Sequence, residues 1–242
     1  MEPMAAERMG INLYSEYSLH AQLKEYLARP GDRLEALVEG KVIDLVRADG
    51  ELVEVQTGHL GQIKAKVLAL AARGYRVRVV YPISATRELR RLDPLTQELI
   101  STRRSPKRSD IYSLFDELIR APEFVAAPGV IVEVLMIRSI ETKTRDGSGS
   151  WWRKGDRTVD KELVEVLDSC VFQSQDDWLA FIPEAIEPPW SSSSLGAELG
   201  IGAARARKIL YCLAKSGLLA ETEKQGRFKT YCFPSASGRA AN

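Results

Sequence analysis

The chain has 242 residues, 45% of them hydrophobic and 28% charged, with a formal net charge of +1. That length exceeds one typical domain of about 150 residues, and the composition supports a full core under a solvated surface. The near-zero charge excludes an overall basic field, so any polyanion must be met by local patches. Three isolated cysteines, Cys170, Cys212 and Cys232, are too few for a disulfide framework, and two histidines make a structural zinc site unexpected.

Residues 1–10 mix acids with apolar residues and hold no hydrophobic run of the secretory type. The most apolar later run, 130–137, is broken by Glu133 and is too short to span a bilayer. A cytoplasmic protein without membrane contact is expected. Residues 15–28 predict a helix, with Leu19, Leu23 and Leu27 four apart on one face and Pro30-Gly31 ending it. Glu16, His20 and Lys24 form a second stripe, which on its own is a solvated, ion-paired face. His20, a lone histidine near acids, is a candidate to titrate near neutrality or to orient a phosphate. Residues 34–38 predict a strand with Glu35 and Leu37 on one face, making Glu35 a possible third acid beside the pair described next.

Residues 41–56, KVIDLVRADGELVEVQ, read as a hairpin about Asp49-Gly50, a two-residue turn signal. Asp44 and Glu54 lie symmetrically about that turn, so strand pairing brings both carboxylates together on one sheet face. Like charges so placed repel unless a cation or a proton sits between them. Carboxylate oxygens from adjacent strands, with room for water and a phosphate, suit a hard divalent cation, Mg2+ or Mn2+.

Leu60, Ile63, Val67 and Leu70 predict a second helix over 59–73, closed by Gly74. Gln62, Lys66 and Arg73 share a side away from that stripe. Residues 75–81 predict a short strand ended by Pro82. Residues 101–108 read as a basic linker in which Arg103, Arg104, Lys107 and Arg108 are candidate phosphate contacts. Then come a helix over 110–120, a long strand over 130–140, a turn at 145–149 and a return strand opening with Trp151 and Trp152. Tryptophans beside Arg153 and Lys154 can stack on bases, although a core or sheet-covering role is the commoner one. A helix over 160–169 uses Leu163, Val164 and Leu167 as its apolar side.

From Gln175 to Phe233 the pattern resembles a winged helix-turn-helix. Ser191 to Ser194 cap a short helix over 195–199, residues 200–202 turn, and residues 203–216 form a longer helix with Ala206, Ile209, Leu210 and Leu213 inward. Arg207, Lys208, Tyr211 and Lys215 face outward, and a two-stranded wing adds Lys224, Arg227 and Lys229. These cations suit DNA phosphates. Winged helices also serve as protein-interaction modules, so a protein partner or self-association stays open.

Two resemblances follow. Ile43-Asp44-Leu45 and Glu54-Val55-Gln56, in the order helix, three strands, helix, strand, resemble the PD-(D/E)XK nuclease superfamily, especially its Holliday-junction-resolvase-like branch. The resemblance implies an α/β restriction-endonuclease-like core over 11–100, α-β-β-β-α-β, followed by a middle α+β region over 101–174 and a winged helix-turn-helix over 175–234. It implies metal ligation by Asp44 and Glu54, and a helical glutamate at Glu16, with Glu25 the alternative. It departs at Gln56, where the superfamily usually has lysine. Some members supply that lysine from the following helix, which would make it Lys66, or else Lys64. Gln56 would then orient the attacking water. Across 16–231 the chain also resembles a family of uncharacterised bacterial proteins, through Ser18-Leu19-His20, Leu23-Lys24, Pro30-Gly31-Asp32, Ile43-Asp44, Glu54-Val55-Gln56 and Arg104-Ser105-Pro106-Lys107-Arg108. The expectation is a Mg2+- or Mn2+-dependent DNA nuclease, with a non-catalytic DNA-binding or regulatory protein and an adaptor as the alternatives.

Overall fold

The fold is that of a computed structural model, which describes residues 14–147, 156–226 and 228–234, without the side chains of residues 14–17 and Gln225. The expected Trp151-Trp152 return strand, the end of the turn before it and Arg227 lie outside the described residues. The chain forms two compact units. One comprises the residues up to Leu27, Ser84–Arg108 and Ile137–Val166; the other comprises Ala28–Ile83, Ser109–Met136 and the chain from Leu167 onward. No described helix is long and apolar enough to cross a membrane.

The second unit holds the site. Its strands are β1 (Arg33–Val38), β2 (Lys41–Val46), β3 (Leu52–Val55) and the first part of β4 (Val77–Leu92). The pairs β1–β2 and β2–β3 are antiparallel and β3–β4 is parallel. Helix α2 (Leu60–Ala71) makes the crossover between the two parallel strands, as parallel pairing requires. The hairpin between β2 and β3 is one residue longer than the two-residue signal implies. Arg47 N–H donates to Glu51 O at 2.9 Å and Gly50 N–H to Arg47 O at 3.0 Å, and Gly50 adopts φ 87. This is a β-turn followed by a left-handed glycine. Asp32 accepts from Arg29 N–H at 2.8 Å and pairs with Arg47, tying the Pro30-Gly31 turn to the hairpin through two largely buried side chains.

Glu51 anchors the start of β3. Burial alone would raise its carboxyl, but Arg78 at 2.7 Å and Arg76 at 2.6 Å hold it below the ordinary glutamate range. Arg78 reaches on to Glu133 at 2.9 Å, in β6 (Val130–Thr144), and Glu133 accepts from Ser169 at 2.9 Å, in β7 (Arg157–Phe172). Removing one partner of such a buried pair costs about 3–5 kcal/mol.

Residues 160–169 therefore belong to strand β7, not to the expected helix. The Leu163, Val164 and Leu167 spacing fits either period over so short a run, and pairing beside β6 in the sheet decides it. Strand β4 also runs through Pro82 to Leu92. Leu52 N–H bonds Arg76 O and Gln56 N–H bonds Val80 O, so even-numbered residues of β4 face β3. Pro82 turns its missing N–H to the side where β3 has already ended, and no ladder bond is lost.

In the first unit, α1 (Tyr14–Leu27) buries Leu19, Leu23 and Leu27, and Gln22 accepts from Leu163 N–H at 2.6 Å. The expected basic linker is in part strand β5 (Leu99–Arg104), paired antiparallel with β4. All six of its residues are exposed, so no apolar alternation marks it. Arg87 and Thr158 both bond the buried Glu141, at 2.9 Å each.

The remainder of the second unit is a 3-10 turn at Ile111–Leu114, α3 (Phe115–Leu118), a second 3-10 turn at Pro122–Val125, α4 (Gln175–Leu179), β8 (Trp190–Ser191), α5 (Ser192–Glu198), α6 (Ala203–Lys215), β9 (Ala220–Gln225) and β10 (Phe228–Cys232). The last three strands form a sheet in the order β8-β10-β9. Ser191 caps α5 reciprocally with Ser194, as the serine run implies. Ala206, Ile209, Leu210 and Leu213 are buried as expected, with Cys212 besides. They share a core with Phe115, Phe172, Trp178 and Phe181, in which Phe115 meets Phe181 edge-on at 4.8 Å.

Gly129 precedes β6 at φ 79, and a Cβ there would stand 2.9 Å from Tyr75 O. Gly74 has φ 88 with nothing within 4 Å. Alanine at Gly74 meets only the left-handed penalty, about 1–2 kcal/mol, whereas at Gly129 overpacking adds about 1–3 kcal/mol. Urea unfolding is expected to rank Gly129→Ala as the more damaging; equal costs would contradict the close approach.

Candidate functional site

Leu45 pairs with Val53 and Val46 with Leu52, so the next step along the ladder sets Asp44 opposite Glu54, as the symmetry about Asp49 implies. Asp44 accepts from Val55 N–H at 2.8 Å through Oδ2. Glu54 is 5% exposed. Lys66, on α2, places Nζ 2.6 Å from Glu54 Oε1 and donates its hydrogen bond to the Val42 carbonyl. The ammonium thus serves the buried Oε1 and the Val42 carbonyl together. Burial is the largest influence on the Glu54 carboxyl and raises it above the ordinary range; the Lys66 ammonium pulls it down and the Asp44 charge pushes it further up.

Helix α2 is held so that Lys66 and not Lys64 reaches the acids. Glu117, on α3, caps the helix by accepting from Leu60 N–H at 3.2 Å. Gly61 packs against Arg120, where a Cβ would come within 3.1 Å of the Arg120 Cβ. Lys64 is committed to Glu123 at 3.2 Å. His59, at φ 56, turns the chain into α2; a left-handed histidine leaves no sequence signal of its own. Gln56 donates through Nε2 to the Gly58 carbonyl, so its Oε1 is the atom left to meet a ligand.

Glu35 does not share the buried setting of the pair. Glu35 is aligned with Asp44 by the β1–β2 register, but its backbone turns to φ 47 and its side chain is exposed. Glu16 lies on α1 with its side chain outside the described residues, and His20 is a half-buried residue of the first unit. Among the described residues no group of three or more His, Cys, Asp or Glu side chains is placed to hold a metal ion. Two opposed carboxylates still offer oxygens to one divalent cation, provided that water or substrate completes its shell.

Of the cations proposed for nucleic acid, Arg103 and Arg104 end β5 and Lys107 and Arg108 follow it, all four exposed. On α6, Lys208 is engaged by Asp116 at 2.6 Å, and the neighbouring Arg205 by Asp110 at 2.9 Å. That flank faces α3 and is not fully outward as expected. Arg207 and Lys215 are exposed, Lys224 on β9 is exposed, and Lys229 on β10 meets Glu221 at 2.8 Å.

A family model described as a domain of unknown function (DUF8091) matches residues 17–173. An uncharacterised protein of Treponema pallidum (strain Nichols) is 31% identical over 223 residues, 92% of this chain and 87% of that protein. The chain belongs to the DUF8091 family. No solved structure matches it.

The raised Glu54 carboxyl makes a pH prediction. Between the ordinary value of 4.5 and the higher folded value, the folded chain keeps a proton that the unfolded chain has lost, so stability falls as pH rises through that window. Wild type is therefore expected to lose stability relative to Glu54→Gln as pH rises above 4.5, measured by denaturant titration. A relative gain would mean that Lys66 outweighs burial.

Proposed function

We propose that the protein is a divalent-metal-dependent phosphodiesterase acting on DNA, with a C-terminal winged helix as its DNA-binding module. The observation that carries this reading is the meeting of Asp44, Glu54 and Lys66 at one point of a helix, three-strand, helix, strand succession. Antiparallel β1–β2–β3 followed by parallel β4 supports the likeness to the PD-(D/E)XK core. The β8-α5-α6-β9-β10 order supports the winged helix.

In this reading Asp44 and Glu54 would hold a Mg2+ or Mn2+ ion, which when bound would supply positive charge to the scissile phosphodiester. Gln56, with Nε2 occupied by Gly58, accepts a hydrogen bond from the attacking water through Oε1 and orients it. Lys66 stands in for the strand lysine. Its ammonium stabilises the negative charge that builds on the phosphate as the water oxygen bonds to phosphorus and the bond to the sugar oxygen breaks.

A second reading has one observation in its favour: the Lys66 ammonium lies against Glu54 and neutralises it. Such a site suits a nuclease fold kept for binding or regulation. Labelled single-stranded, duplex and branched DNA, incubated with Mg2+ or Mn2+, separates the two. Cleavage by wild type is expected, abolished by Asp44→Asn, lowered about a hundredfold or more by Lys66→Ala, and retained or raised by Gln56→Lys. Lys66→Ala cleaving as fast as wild type would remove the relocated lysine from the mechanism. Cleavage by Gln56→Lys alone would favour the second reading.

A further inference from the structure

In the C-terminal module a groove of about 440 Å3 is lined by Ser192, Arg207, Phe228, Lys229 and Tyr231. That volume lies within the range of small-ligand sites, about 300–1,000 Å3. Its charge is uneven. Lys229 is answered by Glu221 at 2.8 Å, and the cations on the α3-facing flank of α6 are answered by Asp110 and Asp116. Among the described residues Arg207 has no ion pair and no acid lines the groove. The Tyr231 phenol feels the Arg207 charge, although burial and Glu221 keep it above the ordinary tyrosine range.

The rim is aromatic. Phe228, 40% exposed, opens β10 beside the groove, while Tyr231, three residues on, is 7% exposed. An open guanidinium, an exposed phenyl ring and hydroxyls on Ser192 and Tyr231 are the complement of a nucleotide unit, which offers a phosphate, a flat base and polar base edges. Duplex DNA shields its base faces by stacking, so the ring selects for a strand whose bases are free.

We propose that this groove takes one unstacked nucleotide of single-stranded DNA, its phosphate on Arg207 and its base on Phe228. The proposal rests on the nucleic-acid part of the function above and names the form of strand that the C-terminal module holds. It makes no use of the acid pair. An extended acidic peptide could use Arg207 but has no flat group for Phe228.

The test is fluorescence anisotropy of the full chain with a labelled twelve-nucleotide oligo-dT in EDTA, over a series of salt concentrations. Wild type is expected to bind more tightly to the single strand than to a duplex of equal length. Phe228→Ala should bind about tenfold more weakly with the salt slope unchanged, and Phe228→Trp should restore binding. Arg207→Ala should flatten the slope by about 0.7, the loss of one single-strand phosphate contact. Phe228→Ala binding as wild type does, Arg207→Ala keeping the full slope, or an acidic peptide competing as well as the oligonucleotide would overturn the proposal. Because no metal is present, none of these results depends on whether the acid pair cleaves.

Discussion

Two carboxylates facing each other across a two-stranded ladder are the constraint from which the site is built. The register that pairs Leu45 with Val53 leaves Asp44 and Glu54 opposed, and Glu54 is almost wholly buried. Removing a carboxylate from water beside a like charge is unfavourable unless a positive charge accompanies it. The chain supplies that charge from the crossover helix through Lys66. The devices that position α2 therefore also position the ammonium: the Glu117 cap, the close seat of Gly61 on Arg120, and the Lys64–Glu123 pair at the far flank. A lysine in place of Gln56 would bring a second ammonium toward an acid pair that Lys66 already serves.

Charge in the C-terminal module follows a comparable logic. Acids of the 109–118 segment neutralise one flank of α6, Glu221 neutralises Lys229, and among the described residues Arg207, Lys215 and Lys224 pair with no acid. The whole chain is nearly neutral, so attraction for a polyanion comes from where charges stay unanswered and not from their number.

Much of the site could be read before folding was considered. Counting residues on either side of Asp49-Gly50 brings Asp44 and Glu54 near each other, but their exact opposition comes from the loop being one residue longer than that signal implies; Lys66 follows from helical spacing. The serine cap and the buried stripe of α6 were legible for similar reasons. What escaped depends on tertiary context. Residues 160–169 have a period that fits helix or strand, and the neighbouring β6 makes them strand. Pro82 reads as a strand end unless one knows that β3 stops before it. The β5 strand is exposed throughout and so carries no apolar alternation. Glu35 falls in register with Asp44, yet its backbone is left-handed and its side chain exposed, which strand alternation alone does not foretell. The groove at Phe228 joins residues from α5, α6 and β10 that no local motif connects.

The central claim is that Asp44 and Glu54 form a cation site with Lys66 beside it. It is tested most directly by anomalous diffraction from crystals soaked in Mn2+. The account predicts a manganese peak between the two carboxylates in wild type that is lost in Asp44→Asn. A wild-type map with no peak there, from crystals that bind manganese elsewhere, would contradict it.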